Sequence, residues 1–243
     1  MTVPRCAAGI VFALPIEAEA FARLVDGQVE LRGGGIPFHA GSIGGLVVAW
    51  CVGGVGQERA ARATELLLDG HRPRRIISAG FAGGLDETIP RGSLVTPGAV
   101  RREDEPVALP LAAAGQSSVR QRPLILTLDR IARTTAEKAA LATATGAALV
   151  DMETFAVAAV AAAAGIPCHG LRVVSDAATD ELPADLGRLV QPQSAARRAG
   201  AVLGMLGRRP RAVADLWRLW ERAVVDGRTL ATGLVRLIEM IDC

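Results

Sequence analysis

Tyrosine is absent from the chain, and Lys138 is the one lysine among its 27 basic residues. We attribute the bias towards arginine to genome composition before function. An excess of charge of one sign is missing too, because 25 acidic residues leave a formal net charge of +2. A chain without such an excess has no general attraction to a polyanion, so we predict no nucleic-acid partner.

Clusters of metal-binding residues are also missing. The four cysteines and three histidines are dispersed, and no two cysteines have the C-x-x-C spacing: Cys6, Cys51, Cys168, Cys243, His39, His71 and His169. This spacing excludes a disulfide framework and the common zinc patterns. We therefore predict no metal and no cofactor, and we expect the histidines to be structural.

A long uninterrupted apolar run is the third feature that the chain lacks. Residues 154–171 have no charge, but a glycine, a proline and a histidine interrupt them, so we predict no membrane span. The N-terminal run CAAGIVFALPI has one preceding arginine and is followed by Glu17 and Glu19. This pattern favours a first β-strand over a signal peptide, and we predict a cytoplasmic protein.

What the sequence does contain is typical of an α/β domain. Half of its 243 residues are hydrophobic and 21% are charged, which is enough for one large core. Apolar runs alternate with segments of helical periodicity, which predicts a mostly parallel sheet with helices on both faces. The predicted strands are 9–14, 37–43, 46–52, 76–79, 147–150 and 168–176, and 92–100 is predicted as a further strand with a turn. The predicted helices are 16–24, the part of 53–70 after its glycine turn, 134–146 and 154–164.

The C-terminal part has a different character. Residues 197–243 contain nine arginines and five acids, and strand signals are few beyond residue 191. We predict an α/β domain at 1–191 and a helical extension at 192–243, packed on the same domain or on a second subunit. A surface for an apolar ligand, or a weak membrane contact, is the alternative. One helical face holds the apolar residues Val213, Leu216, Trp217, Trp220 and Val224.

Carboxylates follow three of the predicted strands. Glu17 follows the first strand, Asp151 and Glu153 follow the strand at 147–150, and Asp176 follows Ser175 at the end of another. Each acid alone could serve a helix N-terminus or a turn. Together they favour a ligand site, because ligands bind at the carboxyl ends of parallel strands and carboxylates in different surroundings can divide acid and base roles.

Glycine turns follow two further strands. Residues 53–56 lack the third glycine of a dinucleotide-binding fingerprint, and both a tight turn and a ligand contact remain open for them. For 80–84 we favour a ligand-binding loop with exposed N–H groups. Its candidate substrate-binding residues are Gly80, Phe81, Ala82 and Gly83.

Four segments together resemble a known family: FALPIEAEAF, ISAGFAGGLDETIPRGSLV, LVDMETFAVAAVA and LRVVSDAATD. In this order they are similar to the nucleoside phosphorylase/hydrolase superfamily, above all its methylthioadenosine/S-adenosylhomocysteine nucleosidase branch. Within 134–230, the segments TTAEKAAL, VVSDAATDELP and GRRPRAVADLWRL resemble the hopanoid-associated phosphorylases. The resemblance implies a three-layer α/β/α sandwich with a twisted, mixed, mostly parallel sheet, and a homo-oligomer, with a dimer favoured.

The resemblance also implies roles for individual residues. Glu17 matches the acid that activates water, and Glu153 matches the acid that binds the ribose hydroxyls, with Met152 against the sugar. Asp176 matches the acid that gives a proton to purine N7, with Ser175 orienting it. Because Asp176 must hold a proton to act in this way, we expect burial to raise its pKa.

The implied activity is hydrolysis of a 5′-modified adenosine with release of adenine. The 5′ group is small and thio-linked or, as in adenosylhopane, large and apolar. The phosphorylase branch has a Gly-Asp-Pro-x-Arg type turn where this chain has Leu14-Pro15-Ile16-Glu17, whose acid disfavours phosphate. A phosphate-dependent phosphorylase and a non-catalytic nucleoside-binding protein are the alternatives. The aromatic residue that holds adenine in these enzymes has no counterpart in 127–135, which leaves Phe81 and Phe155 as candidates.

Overall fold

The computed structural model describes residues 6–114, 122–183 and 210–242, with side chains in the last range from residue 221 onwards. These ranges contain eleven strands and five helices. The strands are β1 (Ala8–Phe12), β2 (Asp26–Gly33), β3 (Ile36–Ile43), β4 (Leu46–Val52), β5 (Ile76–Gly84), β6 (Leu94–Val95), β7 (Ala99–Arg102), β8 (Leu109–Pro110), β9 (Leu124–Thr127), β10 (Leu149–Asp151) and β11 (Cys168–Asp176). The helices are α1 (Pro15–Ala22), α2 (Gln57–His71), α3 (Thr135–Thr145), α4 (Thr154–Ala163) and α5 (Pro210–Asp242).

The strands form one mixed sheet with the order β2-β3-β4-β1-β5-β10-β9-β7-β8, and β11 pairs with β5 and β6. Strands β4, β1, β5 and β11 run parallel to one another, whereas β10 runs antiparallel to β5. The predicted mixed α/β class is confirmed. Strands β2, β8 and β9 were not predicted from the sequence.

The sequence prediction of a loop at 80–84 is wrong. Residues 76–84 form one continuous strand, β5, and Gly83 pairs with Val150 of β10 and Asp176 of β11. Strand β5 therefore continues through its glycines because it has hydrogen-bonding partners on both sides. Its N–H groups belong to the sheet and to one carboxylate described below, and no helix begins there.

Helices cover both faces of the sheet, which makes the predicted three-layer sandwich. Helices α2 and α4 pack on one face, against a core that includes Leu67, Ile76 and Val157. Helices α1 and α5 pack on the other face, against Phe12 and Leu171. Helix α3 covers β9 and β10 through a smaller cluster, and its caps are Thr134 and Gly146, the bounds of the predicted helix.

The C-terminal helix α5 is anchored on the α/β core. Its buried residues Leu230, Leu234 and Ile238 belong to the same core as Phe21 of α1. Residues 210–242 are helical, and the side chains of 213–220 lie outside the described residues. Because 184–209 also lie outside them, the division at residue 191 and a membrane contact of this region remain predictions. No helix in the described part of the chain is both long and apolar enough to cross a membrane.

His169 occupies an apolar position in β11. Its side chain is buried, and neither ring nitrogen has a hydrogen-bond partner. Burial, together with the charge of Arg75, lowers its pKa to about 4. Across residues 6–114, 122–183 and 210–242 we find no group of His, Cys, Asp and Glu residues that could hold a metal ion.

The first prediction concerns stability in acid. Between pH 6.5 and about 4 the unfolded chain binds a proton at His169 that the folded chain does not, so stability falls as the pH is lowered through this window. The His169→Leu variant should lack this loss of stability, which is at most about 3 kcal/mol in the wild type. Urea unfolding of both proteins at pH 7.5 and 4.5 measures the change in the free energy of unfolding. Equal pH dependence in both proteins would contradict the assignment.

Candidate active site

The predicted site residues meet in one cavity of about 260 Å³. Every one of them except Gly80 lines this cavity: Glu17, Phe81, Ala82, Gly83, Met152, Glu153, Ser175 and Asp176. Gly80 lies directly behind the carboxylate of Glu17. The structure thus brings together residues from α1, from β5, from the β10–α4 junction and from the end of β11.

The residues reach the cavity from two opposite directions. β1, β5 and β11 are parallel and point their carboxyl ends to the same edge, as the sequence argument required. β10 runs the other way, with Leu149 beside Gly84 and Val150 beside Gly83. Strand β5 is long enough to pair with both β11 and β10. The residues that follow β10, including Glu153, therefore reach the same cavity.

Glu17 is held by the backbone. Its Oε2 accepts hydrogen bonds from the N–H groups of Ala13 and Leu14, at 2.9 and 2.8 Å, and its Oε1 accepts one from Phe81, at 2.9 Å. The side chain is 3% exposed. Burial raises the pKa of Glu17, and the three N–H donors and the charge of Arg172 oppose this rise without cancelling it.

Two glycines of β5 leave room for the carboxylates. A Cβ atom on Gly80 would lie 2.6 Å from Oε1 of Glu17, and one on Gly83 would lie 3.1 Å from Oδ2 of Asp176. Both distances are too short for ordinary contacts. The glycines are therefore required because two acids pack directly against the strand, which the sequence analysis had interpreted as a ligand-binding loop.

Glu153 is fixed by the first glycine turn. It stands at the N-cap of α4, and its Oε1 accepts a hydrogen bond of 2.9 Å from the N–H of Gly56. Gly54 and Gly56 have φ values of 96° and 102°, a backbone conformation that favours glycine. Of the two interpretations left open for this turn, the structure shows a tight turn that holds a site carboxylate, with Val55 in the cavity lining.

The electrostatic surroundings of Glu153 are unusual. Burial and the neighbouring carboxylates of Asp151 and Glu17 raise its pKa to about 8, against the opposing effects of Gly56 and Arg172. Burial and these two carboxylates therefore favour the protonated form of Glu153. Hydroxyl groups of a ligand that donate to this carboxylate would favour its ionised form.

Asp151 supports the site through a buried network. Its Oδ2 accepts hydrogen bonds from Arg172 at 2.8 Å and from the N–H of Thr154 at 3.0 Å, and its Oδ1 accepts one from Thr127 at 2.7 Å. Arg172 also donates to the carbonyl and hydroxyl oxygens of Ser78. Asp151 thus ties β9, β10, β11 and the start of α4 together, and it also lies in the cavity lining.

Asp176 has a charged partner that the sequence analysis did not foresee. Its Oδ2 lies 2.6 Å from Nζ of Lys138, and its Oδ1 accepts a 2.7 Å hydrogen bond from the hydroxyl of Ser175. Asp176 is buried, with 7% of its surface exposed, and α3 places an ammonium group beside the acid. The predicted orienting contact of Ser175 is present.

The cavity wall contributed by residues 130–132 is not aromatic. Arg130, Ile131 and Ala132 line it, and Phe81 is the aromatic side chain in the lining. Phe155 lies elsewhere, with the guanidinium of Arg102 at 5.4 Å from its ring centre. Of the two candidates for a base contact, the structure places only Phe81 at the cavity.

Helix α5 closes one side of the site, which the sequence analysis missed. Arg222, Ala223 and Asp226 line the cavity. Arg91, from the loop after β5, donates to Oδ2 of Asp226 at 2.7 Å and to the carbonyl of Ser175 at 2.7 Å. These contacts join residues far apart in the chain, so no local pattern could have predicted them.

The fold and the site together define an α/β sandwich with carboxylates around one ligand-sized cavity. The family model of the phosphorylase superfamily matches residues 7–114 and 108–207. The chain belongs to the phosphorylase superfamily.

Solved structures with similar folds include two nucleosidases and a futalosine hydrolase. The 5′-methylthioadenosine/S-adenosylhomocysteine nucleosidase of Helicobacter pylori, bound to butyl-thio-DADMe-Immucillin-A, is 18% identical with a TM-score of 0.74, over 97% of this chain and 98% of that one. The Streptococcus pneumoniae nucleosidase is 19% identical with a TM-score of 0.73, over 97% and 100%. The futalosine hydrolase of H. pylori is 17% identical with a TM-score of 0.72, over 96% and 97%. At these identities the similarity shows the shared fold.

The second prediction tests the protonation of Glu153. From pH 4.5 to about 8 the folded chain keeps a proton that the unfolded chain has lost, so this residue reduces stability as the pH rises. Relative to Glu153→Gln, the wild type should lose at most about 1.4 kcal/mol per pH unit. Urea unfolding from pH 5 to 9 measures the difference. A difference that stays constant with pH would refute a proton on Glu153 at neutral pH.

Proposed function

We propose that the protein is a purine nucleosidase that hydrolyses the N-glycosidic bond of a 5′-modified adenosine and releases adenine. The observation that carries this proposal is the meeting of Glu17, Glu153 and Asp176 around one cavity, each in different surroundings. Membership of the phosphorylase superfamily and the nucleosidases among the solved relatives support it.

Glu153 serves the sugar in this proposal. Breaking the bond between C1′ and the base develops positive charge on the ribose, and a nearby carboxylate favours that state. A carboxylate can also accept hydrogen bonds from both ribose hydroxyls. The hydrogen bond from Gly56 fixes the side chain before the ligand arrives, and Met152 lies beside it in the cavity lining.

In this proposal Glu17 is the general base that activates the attacking water. Its raised pKa makes it a stronger base than an exposed glutamate, and the N–H groups of Ala13, Leu14 and Phe81 fix its orientation. A water in the cavity beside this carboxylate would transfer a proton to it while attacking C1′. General base catalysis of this kind typically contributes about 10²–10⁴-fold.

Asp176 serves the leaving base. As the bond breaks, negative charge develops on the purine, and a proton at N7 neutralises it. The hydroxyl of Ser175 holds Oδ1 of Asp176 at 2.7 Å, and Gly83 leaves the space that the carboxyl group occupies. The apolar residues Ile131 and Ala132 form the adjoining wall for the flat base.

Water is the proposed nucleophile because the site around Glu17 is acidic. Of the arginines in the lining, Arg91 is paired with Asp226, and Arg130 is paired with Glu103. A phosphate-dependent phosphorylase is the second candidate, favoured by one observation: Arg222 brings an exposed guanidinium to the cavity. A thio-linked or adenosylhopane-like 5′ group, a homodimer and a cytoplasmic location are further parts of the proposal.

One assay tests the activity. The purified protein is incubated with methylthioadenosine, S-adenosylhomocysteine, 5′-deoxyadenosine, inosine, futalosine and an adenosylhopane analogue, with and without phosphate. Free base and free ribose sugar without phosphate are expected. A sugar 1-phosphate formed only with phosphate would establish the phosphorylase instead, and ligand binding without any turnover would favour a nucleoside-binding protein.

The third prediction is that Glu17→Gln abolishes base release while the substrate still binds. The amide keeps the size of the side chain but cannot take a proton from water, so a loss of at least about 10²-fold in kcat is expected. Steady-state kinetics and calorimetric binding of the preferred substrate measure the two effects. Full activity of this variant would refute the proposed hydrolase activity.

The fourth prediction is that Gly80→Ala impairs turnover although Gly80 does not line the cavity. The added Cβ would lie 2.6 Å from Oε1 of Glu17 and must displace this carboxylate. A displacement of this size is expected to lower kcat by about 10²-fold. Gly70→Ala in α2 is the matched control, since no atom lies within 4 Å of its added Cβ. Wild-type turnover in folded Gly80→Ala would contradict the prediction.

A further inference from the structure

Lys138 is the only lysine of the chain, and its side chain is completely buried. It lies on α3, on the side of that helix that faces the end of β11. Lysine is among the residues that are least often fully buried, because its ammonium group loses its hydration. A buried lysine therefore requires a partner, and this one lies in the candidate active site.

All three donors of the ammonium group are used at one place. Nζ donates to Oδ2 of Asp176 at 2.6 Å, to the carbonyl of Ala177 at 2.7 Å and to the carbonyl of Asp180 at 3.0 Å. Lys138 thus fixes both the carboxylate and the turn that follows it. The second oxygen of Asp176, Oδ1, is bound by Ser175, which leaves the carboxyl group no freedom to rotate.

The position of Lys138 is explained by Asp176 and not by the folding of α3. The helix has its own N-cap in Thr134 and its own apolar anchor in Leu141. An apolar side chain at 138 would pack in the same space at no cost of desolvation, whereas the ion pair buries two charges. Moving one proton from Nζ to the carboxylate removes both charges at once.

We propose that the proton donor to the leaving base is the Lys138–Asp176 pair and not a lone carboxylic acid. This inference rests on the proposed nucleosidase activity. Lys138 is a positioning residue: it does not line the cavity and acts through Asp176.

The proton balance of this step is simple. One N–H bond at Nζ breaks and one O–H bond forms on Asp176, which then passes its proton to N7 as the electron pair of the C1′–N9 bond enters the purine ring. The water that attacks C1′ gives its proton to Glu17. After product release this proton returns to Lys138 through solvent, so that the site is restored without any co-reactant.

The fifth prediction compares two leaving groups. Methylthioadenosine needs a proton on its base, whereas 4-nitrophenyl β-D-ribofuranoside releases a stable anion that needs none. Lys138→Met should lower kcat/KM by about 10²-fold or more on the nucleoside and by less than about threefold on the nitrophenyl riboside. Asp176→Asn should show the same pattern, and Thr143→Ala, on the exposed side of α3, should match the wild type on both.

A double-mutant cycle separates this role from a structural one. If Lys138 acts through Asp176, adding Lys138→Met to Asp176→Asn should cause no further loss on the nucleoside. Lys138→Gln keeps a neutral donor, and it should remain as impaired as Lys138→Met. Equal losses on both substrates, additive losses in the cycle, or full activity of Lys138→Gln would each overturn the proposal.

An inactive wild type would refute the proposed function itself. The Lys138–Asp176 ion pair can still be tested in that case by a measurement that needs no turnover. Lys138 is the only lysine, so ¹⁵N-lysine labelling gives a single side-chain ammonium signal. We expect this signal to persist at neutral pH, to shift in Asp176→Asn and to stay unchanged in Gly70→Ala. A signal that Asp176→Asn leaves unshifted would overturn the ion pair and with it the proposed proton donor.

Discussion

The buried guanidinium of Arg172 is the feature on which the site depends. It is 2% exposed, and it joins Asp151 of β10 to Ser78 of β5 and to Thr154 at the start of α4. Its positive charge also lowers the pKa values of Glu17 and Glu153, against the stronger effect of burial. Carboxylates in one buried patch repel one another, so a central cation is what allows the sheet to gather them without forcing the strands apart.

The backbone of β5 has the complementary role of making space. This strand is bordered by β1, β11 and β10, and its glycines let two acids lie against the main chain where any side chain would stand in the way. Its rigidity comes from its neighbours, since glycine itself contributes none. The site is thus built from a well-paired strand and from acids that are held by N–H groups, an ammonium and a guanidinium.

Much of this architecture could be predicted from the sequence, because buried strands and amphipathic helices alternate clearly. Strand β2 was not predicted, since residues 26–32 are all exposed and even the apolar Val29 and Leu31 form no buried face. The direction of β10 and the strand state of residues 80–84 depend on partners distant in the chain, which no local pattern encodes. The acids were found because they follow strands, whereas Lys138 and Asp226 lie within helices and meet the site only after tertiary packing. The rarity of lysine was the one available signal for Lys138, and it was attributed to genome composition.

Helix α5 has a consequence for the time at which the site can form. Gly227 allows this helix to approach α1 closely, because a Cβ atom there would lie 2.9 Å from the carbonyl oxygen of Ile16, the neighbour of Glu17. At the ribosome, residues near position 17 emerge roughly 10–40 s before those near 226, at about 5–20 residues per second. During that interval α1 has an uncovered apolar face and the cavity lacks one wall. The donors that hold Glu17 are thus synthesised well before the wall that α5 adds through Arg222, Ala223 and Asp226.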